Sequence, residues 1–232
     1  MDITDDSMAI GFELECSIKR SIADEMLDYI RDAGGHVVDD GSIASSVGLA
    51  KEIRSPVVTL DHLNRLHAFI HGICSGLNKS NKTMGFHVHV SFEDFRPYVM
   101  ISSKEFFEFF KSRYIKSFTT DRERSRLTNH FCNAEEYSPR DRYRMINIIN
   151  AWYRHKTIEF RIFPSSSQPS KLMSYIGFTI NSIKDYLKNA KPEEETIEYK
   201  RKVITTKELN ILLSEDTEHG LYCPVCGRVI RE

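Results

Sequence analysis

Four short segments of the chain each place charged or imidazole side chains two residues apart, the spacing at which both point to one face of a β-strand. Apolar residues occupy the alternate positions of each segment, so each predicts a strand with one face on a core and one face available for binding. The pairs are Glu13 with Glu15, Glu52 with Arg54, His87 with His89, and Glu159 with Arg161.

If these strands are neighbours, several carboxylates converge on one face, and their mutual repulsion is costly unless cations neutralise it. Mg²⁺ suits that role because it takes oxygen ligands and shares its coordination shell with phosphates. Arginines on the same face, Arg54 and Arg161, would bind the phosphates. The face therefore indicates phosphoryl chemistry, with these metal ligands: Glu13, Glu15, Glu52, Glu159 and His87.

Taken alone, His87 and His89 are more typical of polar residues on a solvated sheet face than of a binding site. The carboxylates on the other predicted strands are what favour a binding site. His62, His67 and His71 lie on a predicted amphipathic helix and are interpreted as solvated.

The remaining pattern alternates strands with helices of clear apolar periodicity. Strands are predicted at 10–16, around 36–40, at 50–58 and at 86–92, and a hairpin is predicted to join 142–150 to 157–163. Pro56 either ends the strand at 50–58 or places it at the edge of the sheet. Helices are predicted at about 21–33, 59–77, 102–118 and 172–187, and irregular structure is predicted at 119–139. The fold class predicted is α+β, with a mainly antiparallel sheet and helices packed on one face.

Three parts are expected along the chain: a catalytic domain at 1–190, a charged linker at 191–203, and a small segment at 204–232 containing a short helix and a cysteine pair. The chain has 232 residues, of which 28% are charged, with a formal net charge of −1, so charge implies no nucleic-acid or membrane partner. With no apolar leader or membrane span and five scattered cysteines, a reducing cytoplasmic location is expected.

Six motifs resemble, in order, those of the amidoligase family, a branch of the carboxylate–amine ligase superfamily that includes glutamine synthetase and glutamate–cysteine ligase. They are "IGFELE", "DDGSI", "KEIRSPV", "GFHVHVS", "RYRMIN" and "TIEFRIF", and they extend over about 10–187. The resemblance implies a glutamine-synthetase-like fold whose curved, largely antiparallel sheet presents a concave face to ATP and two or more magnesium ions. It also implies a reaction in which ATP converts a carboxylate to an acyl phosphate and an amine then displaces phosphate to give an amide.

The resemblance also implies roles for individual residues. Glu13, Glu15, Glu52, His87 and Glu159 would bind metal, with Glu13 and Glu159 also counted among the catalytic residues. His89 would lie near the phosphates or substrate, and Arg161 would meet charge that develops during transfer.

Three further assignments leave alternatives open. Asp40 matches an acidic position that serves substrate or metal, or it is a plain turn aspartate. Arg142 and Arg144 match a basic position that reaches cofactor or substrate, or they form exposed salt bridges. Arg54 stands where many relatives carry an apolar residue, and it either shapes substrate choice and binds cofactor or faces solvent.

Two other functions fit the same motifs. One is a nucleotide- or peptide-binding subunit that has the fold without turnover. The other is a phosphotransferase on the same architecture. The ligase hypothesis requires a carboxylate and an amine as substrates, either small molecules or peptides.

The C-terminal "CPVCG" resembles one knuckle of a zinc ribbon, in which both thiolates reach one metal. Cys223 and Cys226 would supply two Zn²⁺ ligands and His219 a third, with the fourth from elsewhere in this chain or another. The alternative is a pair of free thiols. As a zinc site, the tail would dock a protein partner or a second subunit.

Overall fold

The computed structural model describes residues 7–43, 47–152 and 156–189, together with Leu221–Tyr222 and Val229–Ile230. The chain divides into two compact units, Met1–Leu187 and Lys188–Glu232. The linker at 191–203, the predicted short helix, and the candidate zinc ligands His219, Cys223 and Cys226 lie outside the described residues.

The first unit is built on one seven-stranded antiparallel sheet. Six strands follow the order β2-β3-β1-β5-β7-β6, and β4 pairs with β1 beyond the end of β3. The strands are β1 (Met8–Ile18), β2 (His36–Val38), β3 (Leu49–Arg54), β4 (Val58–Thr59), β5 (Gly85–Phe92), β6 (Ile146–Asn147) and β7 (Ile158–Pro164). The α+β class and the mainly antiparallel sheet predicted from sequence are confirmed.

The described residues include six α-helices: α1 (Ala23–Asp32), α2 (Leu63–Cys74), α3 (Phe95–Ile101), α4 (Lys104–Ser117), α5 (Asp121–Arg124) and α6 (Pro169–Asn189). Among the described residues, no helix is both long enough and apolar enough to cross a membrane. In the second unit, β8 (Leu221–Tyr222) pairs antiparallel with β9 (Val229–Ile230).

Pro56 separates β3 from β4, as its missing N–H predicts. Ser55 fills the gap in the ladder: its backbone N–H donates to the Phe12 carbonyl at 2.9 Å, and its Oγ accepts from the Phe12 N–H at 2.8 Å. Hydrogen bonding along this edge of β1 therefore continues from β3, through Ser55, to β4.

The apolar face of the sheet is covered by aromatic residues of three helices. Phe12 of β1 packs on Phe69 of α2, with ring centroids 5.9 Å apart. Phe160 of β7 meets Phe106 of α4 at 6.2 Å, and Phe86 of β5 meets Tyr175 of α6 at 6.2 Å. Because the helices bury this side, the opposite face is left for other contacts.

A β-bulge breaks the alternation predicted for β7. Phe86 of β5 pairs with Phe163 and Val88 pairs with Phe160, so His87 alone faces two residues of β7. As a result Phe163, an odd number of residues from Phe160, also packs on the helices, with its ring stacked 4.7 Å from Tyr175. Ile162 is fully buried as predicted, but the strict alternation is broken because Phe163 is buried too.

Other elements differ from their predictions in length. The strand predicted at 142–150 is reduced to Ile146–Asn147 and an isolated bridge from Arg144 to Asn133. A 3₁₀ turn at Ile149–Trp152 follows. The region predicted as irregular contains α5 and the 3₁₀ turn Ser125–Thr128. Helix α3 was not predicted, and its Pro97 sits in the first turn, where a missing N–H costs nothing.

Candidate functional site

A groove of about 1140 Å³ runs over the face of the sheet opposite the helices. Ten of the residues predicted to bind magnesium, phosphate or substrate line it, and nine of these come from the strands β1, β3, β5 and β7 or from the turn after β2. These are Glu13, Glu15, Asp40, Glu52, Arg54, His87, His89, Glu159 and Arg161. Arg142 also lines the groove, whereas Arg144 is not among the described lining residues.

Strand register explains why these side chains meet. On β1, Glu13 lies opposite His87 of β5 on one side and Arg54 of β3 on the other. His89 lies opposite Glu159 of β7. Residues directly across a ladder share a face, so each two-residue spacing in the sequence contributes its pair to the same groove.

The centre of the groove is a cluster formed by Glu13, His87 and Glu159. One ligand atom from each can be chosen so that all lie within 4.8 Å of one another. His87 and Glu159 are each 3% exposed, so water reaches this cluster mainly from the groove. Two carboxylates and an imidazole at this separation can hold one metal ion.

The His87 ring lies between carboxylates on both of its edges. Its Nδ1 is 3.2 Å from Glu159 Oε1 and 3.6 Å from Glu13 Oε2, yet makes no hydrogen bond among the described residues. Its Nε2 is 3.7 Å from Glu15 Oε1. A buried nitrogen without a hydrogen bond, facing two carboxylates, is the arrangement expected of a metal ligand whose ion would complete the contacts.

Two neighbours hold Glu159 in place. Asn147 Nδ2 donates to Glu159 Oε2 at 2.7 Å, and Arg161 Nη1 pairs with Glu159 Oε1. The Arg161 backbone is held in turn by Arg126, whose Nη2 donates to the Arg161 carbonyl at 2.8 Å. Sequence reasoning missed Asn147 and Arg126, since Asn147 stands singly in an apolar run and Arg126 in a charged segment.

Glu15 is held by the start of β5. The Gly85 N–H donates to Glu15 Oε2. A Cβ at Gly85 would lie 2.8 Å from His87 Nε2, 3.0 Å from Arg126 Nη2 and 3.2 Å from Glu15 Oε2. A methyl group at this position would therefore force at least one of these side-chain ends to move.

Glu52 and Arg54 form the β3 side of the groove. Arg54 Nε lies 2.8 Å from Glu52 Oε1 and 3.3 Å from Glu13 Oε1. Burial and the nearby Glu13 charge raise the pKa of Glu52, despite the opposing effect of Arg54. The Arg54 side chain is half exposed, so it neutralises acids while still facing the groove.

The pKa values of Glu13, Glu159 and His89 are each shifted in the direction that favours the charged form. Burial alone would raise the pKa of Glu13, but the imidazoles of His87 and His89 outweigh it and hold that pKa well below its ordinary value. Burial likewise opposes ionisation of Glu159, and His87 and Arg161 reverse the effect and lower its pKa. Burial lowers the pKa of His89, but the adjacent Glu13 and Glu159 raise it overall.

Three residues with two alternative predicted roles, Asp40, Arg142 and Arg144, make different contacts. Asp40 lines the groove and also acts as a turn residue, its Oδ1 accepting from the Ser42 N–H at 2.8 Å. The Arg142 guanidinium lies 5.2 Å from the centre of the Tyr143 ring. Arg144 Nε pairs with Asp141 Oδ2 at 2.9 Å, which matches the salt-bridge alternative.

Among the described residues that line the groove, carboxylates and Lys or Arg side chains are equal in number. Five carboxylates are accompanied by five Lys or Arg side chains, and three histidines line the groove as well. The basic residues include two that sequence analysis had not selected, Lys82 and Arg126. Arg126 is 5% exposed and donates to the backbone carbonyls of Ile162 and Arg161, so its charge adds to the groove potential.

Comparison of the chain with protein-family models and with curated proteins finds no match to either. The amidoligase resemblance therefore rests on the six sequence motifs alone. The groove geometry is independent of that resemblance, because it follows from strand pairing and side-chain positions.

Proposed function

We propose that this protein is an ATP- and magnesium-dependent carboxylate–amine ligase that forms an amide or peptide bond through an acyl phosphate. The observation that carries the proposal is the buried cluster of Glu13, His87 and Glu159, in which His87 Nδ1 faces two carboxylates without a hydrogen bond. Glu15 and Glu52 extend the acidic set along the groove.

The charges of the groove support a phosphate-bearing ligand. Five carboxylates line it together with five Lys or Arg side chains, so magnesium bound at the carboxylates would leave an excess of positive charge. The phosphates of ATP would offset that excess. Arg161, which is 8% exposed and lies beside the cluster, is well placed to contact them.

The architecture supports the same proposal. A glutamine-synthetase-like fold would bind its nucleotide and metals on the open face of an antiparallel sheet whose other face is covered by helices. Here the acidic residues come from β1, β3 and β7, and the imidazoles come from β5 between them.

In the proposed reaction, an oxygen of the carboxylate substrate attacks the γ-phosphorus of ATP, and the bond from that phosphorus to the bridging oxygen of ADP breaks. The amine nitrogen then attacks the acyl carbon, releasing phosphate and a proton. Bound magnesium would offset phosphate charge during the transfer. Glu13, Glu15, Glu52, His87 and Glu159 would hold the metal, while Arg161 and His89 would face the transferred group.

Calorimetric titration of ATP, with and without magnesium, tests the proposal on the wild type and on Glu159→Gln. We expect magnesium-dependent binding in the wild type and at least a tenfold loss of affinity in the variant, because a metal ligand is neutralised. Glu108→Gln, an exposed substitution on α4, is the matched control and should bind like the wild type. A wild type that binds no nucleotide with any divalent metal would overturn the proposal.

A phosphotransferase would use the same metal and arginine set, and a binding subunit would use it without turnover. Product mass separates the three. A ligase joins two molecules with loss of water, a phosphotransferase adds only a phosphoryl group, and a binding subunit releases no ADP with any substrate pair.

A further inference from the structure

One wall of the groove carries an aromatic surface that the metal chemistry does not use. Phe131 and Tyr143 line the groove, and their rings meet at 74° with centroids 5.8 Å apart. His130 stacks on Tyr143 at 5.7 Å. Phe131 is 51% exposed and lines the groove, so part of its ring is available to a ligand.

Among the exposed large apolar residues of the described ranges, Phe131 and Val57 are the two that line the groove. Val57 neighbours Gly11 beside β1, on the side where β3 and β4 pair. Of the two, only Phe131 has a π-face on which a flat ring can stack.

The backbone of Phe131 is fixed from both sides. Its N–H donates to Asn129 Oδ1 at 2.9 Å, and its carbonyl accepts from Arg161 Nε at 3.2 Å. The next residue, Cys132, is fully buried and its N–H donates to the Asn129 carbonyl at 3.1 Å. The ring is therefore held in place before any ligand binds, which lowers the entropic cost of binding.

The same hydrogen bond links the aromatic ring to the phosphate side of the site. Arg161 contacts the Phe131 carbonyl through Nε and Glu159 through Nη1. A ligand whose phosphates lie against Arg161 and the metal cluster therefore has the Phe131 ring beside it. Nucleotides combine these two chemistries, a charged phosphate chain and a flat aromatic base.

We propose that Phe131, braced by Tyr143 and His130, is the surface on which the base of the bound nucleotide stacks. This inference rests on the proposed nucleotide-dependent function and adds where the base lies. Because stacking accepts any base, Phe131 contributes affinity for the base without selecting adenine by hydrogen bonding.

Comparison of ATP with inorganic tripolyphosphate tests the inference, since tripolyphosphate has the phosphates but lacks the base. Binding of each is measured by calorimetry with magnesium, on the wild type, Phe131→Ala and Phe131→Trp. We expect Phe131→Ala to weaken ATP binding about ten- to a hundredfold and to leave tripolyphosphate binding unchanged. Phe131→Trp should retain ATP affinity because it keeps a π-face.

Phe95→Ala is the matched control, because Phe95 is also 51% exposed and is not among the residues lining the groove. It should bind both ligands like the wild type. Equal losses for ATP and tripolyphosphate in Phe131→Ala, or unchanged ATP binding, would overturn the stacking role and leave the proposed function standing. A wild type that binds neither ligand would overturn both.

Discussion

Asn147 shows how a neutral side chain can decide the geometry of a charged one. Glu159 has two carboxylate oxygens, and Asn147 occupies Oε2 while Arg161 occupies Oε1. The carboxylate plane is thereby fixed with Oε1 toward His87 Nδ1. Residues that hydrogen-bond a metal ligand in this way contribute substantially to metal affinity.

We predict that Asn147→Ala weakens binding of Mn²⁺, used as a spectroscopic substitute for magnesium, about tenfold or more. The reason is that Glu159 loses the donor that orients it. Electron paramagnetic resonance titration of free Mn²⁺ measures the change. Asn78→Ala, which removes the hydrogen bond from Asn78 Nδ2 to Ser17 Oγ, is the control and should leave Mn²⁺ binding unaltered.

The glycine at the start of β5 gives a second test at this scale. Gly85→Ala would place a methyl group 2.8 Å from His87 Nε2, so the imidazole or Glu15 must move. We predict a folded protein with weakened Mn²⁺ binding in the same titration. Gly177→Ala in α6 meets nothing within 4 Å and should bind Mn²⁺ normally while gaining up to about 1 kcal/mol of helix stability. Equal metal affinities in the two variants would contradict this account.

The sequence predicted the charged residues of the site because their spacing matches the period of a strand. It did not predict Asn147 or Arg126, whose partners are the Glu159 carboxylate and the backbone of β7. Such contacts depend on how segments distant in the sequence pack together, so the spacing of residues within one segment does not predict them.

At the scale of elements, α5 is only four residues long and depends on one buried glutamate. Thr120 and Glu123 form a reciprocal capping box. Glu123 is 1% exposed and also pairs with Lys171 of α6 at 2.6 Å. Burial opposes its ionisation, but Lys171 and Thr120 outweigh burial and lower its pKa. Glu123 therefore connects α5 to the helix layer.

We predict that Glu123→Gln lowers the free energy of unfolding by about 1.5–3 kcal/mol at neutral pH, because a charged hydrogen-bond acceptor is lost. Since the folded pKa is depressed, the stabilisation is complete above the ordinary carboxyl pKa and is lost as pH falls through the folded pKa. Urea unfolding at successively lower pH should bring variant and wild type together. A gap that stays constant into acid would argue against the ionised carboxylate as its source.

Element boundaries were predictable where periodicity was long. The stripe from Leu172 to Leu187 correctly indicated α6, and Pro56 correctly ended β3. The bulge in β7 was not predictable, because Ile162 and Phe163 are both apolar and both are buried, so the sequence does not show where the alternation breaks. The position of the bulge follows from the pairing with β5.

At the scale of the whole molecule, the buried apolar core runs from Met8 to Leu187 among the described residues. We predict that a chain ending after Asn189 unfolds within about 2 °C of the full-length protein, because the truncation removes none of that core. Thermal unfolding followed by circular dichroism measures this. A truncated chain without a cooperative transition would contradict it.

Metal binding should stabilise the whole fold. At about a hundredfold excess over the dissociation constant, Mg²⁺ or Mn²⁺ should raise the unfolding temperature by roughly 5–10 °C, and EDTA should reverse the rise. Glu13→Gln should abolish most of this shift, since Glu13 contributes an oxygen to the central cluster. Glu25→Gln, on the exposed side of α1, should retain it.

The two outer strands of the sheet are its shortest members on the main path, with β2 containing three residues and β6 two. Each leaves few unsatisfied backbone N–H and C=O groups at the sheet margin, so an extended segment of another molecule has little to pair with. The long strands that carry Glu13, His87 and Glu159 are all interior to the sheet. β2 and β6 themselves should consequently contribute little to edge-to-edge aggregation, even when the protein is concentrated.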